Sequence, residues 1–249
     1  MKILDGKTAI VTGAGSGIGR EIALHYAREG AKTVISDIDE SGGKETVELI
    51  EENSGEAVFV KADSSSPADN EELVRRTVEE FGSLHIACNN AGIGGESTPV
   101  GEYPVDAWNK VIGINLSGVF YGMRYQIPAM LEAGGGAIVN IASILGQVGF
   151  RNSSAYVAAK HGVVGLTQNA ALEYSSQNIR VNAVGPGFIE TPLLAQMDEE
   201  AKQKLVALHP IGRLGKSEEV AELVLWLSSS KASFVAGAYF PVDGGYLAR

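Results

Sequence analysis

The chain has 249 residues, of which 45% are hydrophobic, enough to bury one substantial core without a second domain. Its formal net charge of −10 argues against nucleic acid and anionic membrane surfaces as partners, because both are bound mainly through lysine and arginine. Cys88 is the only cysteine, so an internal disulfide is impossible, and a soluble protein of the reducing cytoplasm is expected. The N-terminus contains no apolar run long enough for a signal peptide, and no run approaches the roughly 20 apolar residues that span a bilayer.

Short apolar runs alternate with helical patterns along the whole chain. The first unit is "TAIVT" at 8–12, followed by a glycine-rich turn and by "IGREIALHYAREG", whose apolar residues have helical spacing. Further strands are predicted at "KTVISD", "AVFVKAD", "LHIAC", "GAIVNIAS", "IRVNAVGP" and "AYFPVDGG". Helices are predicted near residues 41–53, 67–81, 104–131 and 154–175, and over "SEEVAELVLWLSSS".

The strand runs are apolar on both faces, which is typical of parallel strands covered by helices above and below. Repeated βα units therefore predict an α/β fold. We expect a doubly wound parallel sheet of the Rossmann type, with helices on both faces, in a single domain spanning residues 1–249. Glycine and proline bracket a mixed apolar and charged stretch at about 187–215. We expect this segment to act as a substrate lid.

The turn after the first strand reads "TGAGSGIG", and the ligand crevice of an open parallel sheet lies at the carboxyl ends of its strands. Gly13, Gly17 and Gly19 would let the backbone approach a diphosphate, and the following helix offers free N–H groups to the anion. Alone, the turn is equally compatible with an ordinary strand-to-helix connection. A P-loop is excluded because no Gly-Lys-Ser/Thr follows.

Asp37 ends the second predicted strand, roughly 20 residues after the glycine turn, where a carboxylate meets the ribose hydroxyls of adenosine. It favours NAD as the cofactor and would repel the 2'-phosphate of NADP. No arginine or lysine stands at Ala14, Gly15, Ser16 or Ile38 to favour NADP instead. The alternative is a solvated loop aspartate, but its spacing from the glycine turn favours dinucleotide binding.

Tyr156 and Lys160 are four residues apart, which places them on one face of a helix. An unperturbed phenol has a pKa of about 10, and a neighbouring cation lowers it. We expect Lys160, together with an oxidised nicotinamide ring, to lower the pKa of Tyr156 so that it serves as an acid and base. Taken alone, the pair is better interpreted as a chance arrangement on an exposed helix.

Six motifs occur in order: "TGAGSGIG" at 12–19, "NNAG" at 89–92, "NLSG" at 115–118, "IAS" at 141–143, "YVAAK" at 156–160 and "PGFIET" at 186–191. Together they resemble the short-chain dehydrogenase/reductase family over essentially the whole chain. The resemblance implies an NAD(H)-dependent oxidoreductase that transfers a hydride between nicotinamide and a secondary alcohol or its ketone.

The resemblance also implies residue roles. Tyr156 would exchange a proton with the substrate oxygen, and Lys160 would lower the phenol's pKa and bind the nicotinamide ribose. Ser143 would hydrogen-bond the substrate oxygen, and Asn115 would hold a water next to the lysine. The expected cofactor-binding residues are Gly13, Ser16, Gly17, Ile18, Gly19, Asp37, Ile38, Asp63, Ser64, Asn89, Ala91, Gly92, Tyr156, Lys160, Pro186, Ile189 and Thr191.

Other functions stay open. A 3-oxoacyl-thioester (acyl carrier protein) reductase using NADPH shares these motifs, although Asp37 counts against NADP. A sugar epimerase or dehydratase would need an added substrate domain, for which 249 residues leave no room. A nucleotide-binding regulator without catalysis is disfavoured because all four catalytic residue types are present. The histidines lack metal-ligand spacing, so no metal is expected.

The substrate walls are expected at 93–97, 144–151 and 187–211. Their side chains are largely apolar, which favours a cyclic or aryl secondary alcohol over a free sugar; they include Ile144, Leu145, Val148, Phe150, Leu193, Leu194, Met197 and Leu208. Arg151 and His209 are placed to meet a polar tail of the substrate, but solvent exposure is the favoured expectation for both. The apolar helix around Trp226 is either core or a subunit interface, and the family resemblance implies a homo-oligomer, a tetramer in preference to a dimer.

Overall fold

A computed structural model describes residues 2–191 and 198–248 of the chain. Seven parallel strands form one sheet in the order β3-β2-β1-β4-β5-β6-β9, and the two-residue strands β7 and β8 pair with each other. The strands are β1 Thr8–Thr12, β2 Lys32–Asp37, β3 Glu56–Lys61, β4 Ile86–Asn89, β5 Gly136–Ile141, β6 Ile179–Pro186, β7 Ile189–Glu190, β8 Gly215–Lys216 and β9 Tyr239–Val242. The strand order reverses between β1 and β4, which is where an open α/β sheet forms its ligand crevice.

Helices connect the strands and cover the sheet. They are α1 Gly17–Arg28, α2 Glu40–Glu52, α3 Pro67–Phe81, α4 Val105–Ile112, α5 Gly118–Glu132, α6 Ser154–Tyr174, α7 Glu199–Val206 and α8 Ser217–Ser228. The helix predicted at 104–131 is interrupted, because Gly113–Ser117 forms a π-helical turn between α4 and α5. Hydrophobic spacing does not reveal this turn, since the apolar pattern continues through it.

The sheet is covered on both faces, which confirms the predicted doubly wound arrangement. One core cluster joins β1 and β2 to α1 and α8 and includes Ile22 and Val220. The other joins the strands to α3, α5 and α6 and includes Leu73 and Val163. All five residues of β1 are buried, which explains its lack of alternation in the sequence.

The predicted lid region, about 187–215, contains β7, α7 and β8 among its described residues. Three residues that we predicted in the substrate wall, Leu193, Leu194 and Met197, lie outside the described residues. Within the described parts of the chain, no helix has both the length and the apolar character that crossing a bilayer requires.

Candidate active site

A cavity of about 570 Å³ opens at the carboxyl ends of the central strands. Its volume falls in the range usual for cofactor and small-molecule sites. Each predicted cofactor-binding residue except Asn89 lines it, together with Ser143. The lining also includes Ile93, Gly94, Gly187 and Phe188 from the expected substrate walls. Residues that the sequence did not indicate are Ala62, Asn90, Ile114 and Ser153.

The glycine turn has a backbone that other residues would not adopt easily. Gly13 and Gly17 have φ angles of +63° and +54°, in the left-handed region that favours glycine. A Cβ atom on Gly19 would lie 2.2 Å from the Gly13 carbonyl oxygen, so the start of α1 packs directly on the turn. Gly17, Ile18 and Gly19, which begin α1, line the cavity, and the N-terminus of a helix is a favourable position for an anion.

Asp37 is held against the turn. One of its carboxylate oxygens accepts a hydrogen bond from the Gly15 N–H at 2.8 Å, and a Cβ on Gly15 would lie 2.9 Å from that oxygen. Beneath the turn, Arg20 donates to the Gly15 carbonyl at 2.5 Å, to Thr46 at 3.1 Å and to Glu45 at 2.6 Å. Arg20 belongs to no sequence motif, but its guanidinium fixes this loop through these bonds.

Asn89 does not line the cavity as predicted. Its side chain lies 4% exposed in a buried amide network, where it donates to Asn140 at 2.9 Å and accepts from Gln126 at 2.8 Å. Asn140 in turn donates to Thr167 of α6. Asn89 is the last residue of β4, and its side chain points into the layer between the sheet and the helices. The network therefore connects the sheet to α5 and α6.

Asn90, the next residue, lines the cavity instead. Its amide nitrogen donates to the carbonyl oxygens of Thr12 at 2.9 Å and of Gly13 at 3.1 Å. The Thr12 hydroxyl accepts from the backbone N–H groups of Asn90 and Ala91 at 3.0 and 3.1 Å. These bonds fasten the segment after β4 to the glycine turn after β1.

Lys160 is the buried cation of the site. Its side chain is 3% exposed in α6, and its ammonium donates to the Ile141 carbonyl at the end of β5, at 2.7 Å. Burial lowers the pKa of Lys160 to about 8. Among the described residues, the Ile141 oxygen is its one hydrogen-bond partner, so further N–H bonds are available for a ligand.

Tyr156 faces Lys160 from one turn earlier, with the lysine Nζ 5.5 Å from the centroid of the phenol ring. Burial raises the pKa of Tyr156, and its hydrogen bond with Ser143 opposes this rise. The residues of the chain therefore raise the pKa of Tyr156, whereas the prediction of a lowered pKa included an oxidised nicotinamide ring. Withdrawing the phenolate from water outweighs the hydrogen bond with Ser143.

Asn115 lies in the π-helical turn and is fully buried. Its side chain accepts from the Ile93 N–H at 2.9 Å and donates to the Ile93 carbonyl at 2.8 Å. Each side-chain group thus bonds the Ile93 backbone once and keeps one further donor or acceptor position, so the water-holding role stays a prediction. A Cβ on Gly92 would lie 3.3 Å from the Asn115 oxygen and 3.7 Å from the Lys160 nitrogen, which places Gly92 beside both residues.

Aromatic rings form part of the expected substrate wall. Phe150 and Phe188 both line the cavity, with ring centroids 5.9 Å apart. His209 is 4% exposed, which contradicts its predicted exposure: its Nε2 accepts from the Phe188 N–H at 3.2 Å and its Nδ1 donates to the Leu205 carbonyl at 2.8 Å. Arg151 is exposed as predicted.

The charged side chains that line the described part of the cavity are Asp37, Asp63 and Lys160. Beyond Tyr156, the wall is uncharged and mainly apolar, with Ile144, Leu145, Phe150 and Phe188; Val148 and Leu208 do not line it. In residues 2–191 and 198–248, no group of three or more His, Cys, Asp or Glu side chains is placed to hold a metal ion.

Comparison with known proteins agrees with this geometry. A family model described as enoyl-(acyl carrier protein) reductase matches residues 13–247. Cyclohexanol dehydrogenase of Acinetobacter sp. (strain SE19) is 50% identical over 243 residues, covering 98% of this chain and 96% of the relative. Cis-4-hydroxycyclohexanecarboxylate dehydrogenase of Sinomonas cyclohexanicum is 45% identical over 242 residues, 97% of each chain.

The crystal structure of levodione reductase superimposes with a TM-score of 0.95 at 38% identity, over 98% of this chain and 99% of that one. The family model spans the glycines of the turn and the Tyr156–Lys160 pair, and the two dehydrogenases and this structure each match 97% or 98% of the chain. The chain belongs to the short-chain dehydrogenase/reductase family and is a nicotinamide-dependent alcohol dehydrogenase/ketone reductase.

Proposed function

We propose that this enzyme uses NAD to interconvert an uncharged cyclic secondary alcohol and its ketone. The observation that carries the proposal is the meeting, in one cavity, of Tyr156, Ser143 and Lys160 with an uncharged apolar wall. The relatives act, by their names, on cyclohexanol and on a hydroxycyclohexanecarboxylate, and both names describe a secondary alcohol on a six-membered ring.

The residues present fit a dinucleotide. The left-handed Gly13 and Gly17, and the Gly19 site that a Cβ would fill, leave backbone N–H groups open to a diphosphate. Asp37 would hold the adenosine ribose, and the Lys160 ammonium would hold the nicotinamide ribose. When bound, the nicotinamide ring supplies the hydride acceptor or donor, which no side chain provides.

The protein's own residues would manage the proton. Ser143 hydrogen-bonds Tyr156 and would donate to the substrate oxygen, so that both hydroxyl groups converge on one atom. During alcohol oxidation, the Tyr156 phenolate would accept the alcohol proton, and during ketone reduction the phenol would return it. The Lys160 ammonium, 5.5 Å from the phenol ring centroid, would stabilise the phenolate once it forms.

NAD in preference to NADP is supported by the surroundings of the adenosine end. Asp37 is fixed by Gly15 and would repel a 2'-phosphate. The nearest arginine of the turn, Arg20, already binds the Gly15 carbonyl, Thr46 and Glu45, so its charge is not offered to a ligand phosphate. The same features disfavour the alternative of an NADPH-dependent 3-oxoacyl-thioester reductase, and no observation on the site favours that function.

The decisive experiment is a substrate panel with NAD and NADP in parallel, comparing the wild type with Tyr156→Phe. We expect oxidation of cyclohexanol-type alcohols with NAD, and a loss of about 10²- to 10⁴-fold in Tyr156→Phe, the usual contribution of a general acid or base. Binding of NADH by the variant serves as the control for folding. Retained turnover in Tyr156→Phe would refute the mechanism, and a preference for NADPH with 3-oxoacyl thioesters would restore the alternative.

We also propose that the protein is a cytoplasmic homotetramer. In each subunit, residues of about 187–215 would close over the substrate as a lid. Exposed apolar side chains such as Phe120, Leu172 and Phe234 support association, since they would otherwise face water. Gly187, Phe188, Ile189 and Thr191 line the cavity, which supports the lid. Sedimentation equilibrium tests the assembly, and a monomer would refute it.

A further inference from the structure

Tyr239 reaches the catalytic serine from another strand. It lies on β9, the edge strand, in register with Ala183 of β6. Its side chain crosses β6, and its hydroxyl donates to the backbone carbonyl of Ser143 at 2.9 Å. A Cβ atom at Gly185 of β6 would lie 1.9 Å from that hydroxyl oxygen, so the crossing requires glycine at this position. Two strands are thus matched to bring one phenol to Ser143.

The carbonyl that Tyr239 binds belongs to a short turn. Ser143 precedes the 3₁₀ turn Ile144–Gly146, and its hydroxyl accepts from the Leu145 N–H at 3.2 Å. Its carbonyl oxygen also accepts from the Gly146 N–H at 2.8 Å. Tyr239 supplies the second hydrogen bond to this oxygen, which has two lone pairs. The backbone of Ser143 is therefore held from both the turn and the edge strand.

We propose that Tyr239 is a positioning residue: by holding the Ser143 carbonyl, it fixes the direction in which the Ser143 hydroxyl meets Tyr156 and the substrate oxygen. The inference rests on the proposed function, because it concerns the same reaction. Tyr239 does not line the described cavity and acts through Ser143 alone. Burial, and to a smaller extent Asp243, raise the pKa of Tyr239, which keeps its hydroxyl a donor at neutral pH.

The test is Tyr239→Phe, which removes only the hydroxyl. We expect kcat for alcohol oxidation to fall about 5- to 10-fold, the effect of one hydrogen bond, with little change in the NADH dissociation constant. The matched control is Tyr26→Phe. Tyr26 is also buried and its hydroxyl bonds Ser228 at 2.6 Å, but it lies in α1 away from the catalytic residues. We expect its kcat to be unchanged.

A second measurement does not depend on activity. Hydrogen exchange should show faster exchange at the Leu145 and Gly146 amides, the two that bond Ser143, in Tyr239→Phe than in Tyr26→Phe. Gly185→Ala should produce the same local effect by displacing the phenol. Equal exchange in both tyrosine variants would overturn the inference, as would an unchanged kcat. If the wild type oxidises no alcohol, the proposed function fails, and the exchange comparison still decides whether Tyr239 holds Ser143.

Discussion

Replacing Lys160 with methionine should remove a pH dependence of stability that a buried ammonium imposes. Burial lowers the pKa of Lys160 from 10.5 to about 8, so the folded protein binds fewer protons than the unfolded chain between these values. The cost to stability is fully present below about pH 8 and disappears as the pH rises towards 10.5. A shift of this size corresponds to about 3 kcal/mol at pH 7 and about 1 kcal/mol at pH 10.

Lys160→Met also leaves the Ile141 carbonyl without its donor, which costs about 1 to 3 kcal/mol at every pH. The free energy of unfolding of the wild type minus that of the variant should therefore be compared at two pH values, because the lost hydrogen bond contributes equally at both. Urea unfolding at pH 7 and pH 10 should show the wild type gaining about 2 kcal/mol relative to Lys160→Met. The exposed Lys110→Met is the control and should show no such gain. Parallel behaviour of wild type and Lys160→Met would refute the reasoning, because it would mean that the ammonium remains hydrated.

Three further predictions concern the cofactor turn and the phenol. Asp37→Ala should raise the ratio of kcat/KM with NADP to kcat/KM with NAD by about 10-fold or more, since it removes the repelling carboxylate; an unchanged ratio would contradict its assignment. Gly19→Ala places a methyl group 2.2 Å from the Gly13 carbonyl, so we expect about 1 to 3 kcal/mol lower stability and weaker NADH binding by calorimetry. Alcohol oxidation should accelerate as the pH rises, because Tyr156 must lose its proton. Ser143→Ala should move the midpoint of the profile of kcat/KM against pH to higher pH, since the hydrogen bond with Ser143 lowers the pKa of the phenol. A midpoint that stays in place would show that Ser143 does not act on Tyr156.

Elements with local signals were predictable from the sequence. The bounds of α3 match the prediction because Ser66 caps it, Pro67 opens it and Gly82, with a φ angle of +82°, ends it. Tyr156 and Lys160 share a helix face because a four-residue spacing dictates it. The parallel sheet followed from strands that are apolar on both faces. Each of these signals lies within a few consecutive residues.

Features that depend on distant contacts were not predictable. His209 is buried where its Nε2 accepts from the Phe188 N–H, 21 residues earlier in the chain. Whether Asn89 or Asn90 points into the cavity depends on which face of the sheet each side chain occupies at the end of β4. All four residues of β4 are buried, so the sequence shows no alternation that would reveal this. Tyr239 lies 96 residues from the serine that it contacts, and its role depends on the missing side chain at Gly185.

The π-helical turn Gly113–Ser117 has a consequence for how the chain could change. Its widened loop, in which the Gly118 N–H donates to the Gly113 carbonyl, is equivalent to one residue inserted into an α-helix. Deleting Ile114 would join α4 and α5 into a single regular rod, and Asn115 would swing by about 100° away from Ile93. A variant with one continuous α-helix here should therefore fold but be a poorer catalyst. Asn115 would no longer hold the segment Gly92–Ile93, which follows β4 and lies beside Lys160.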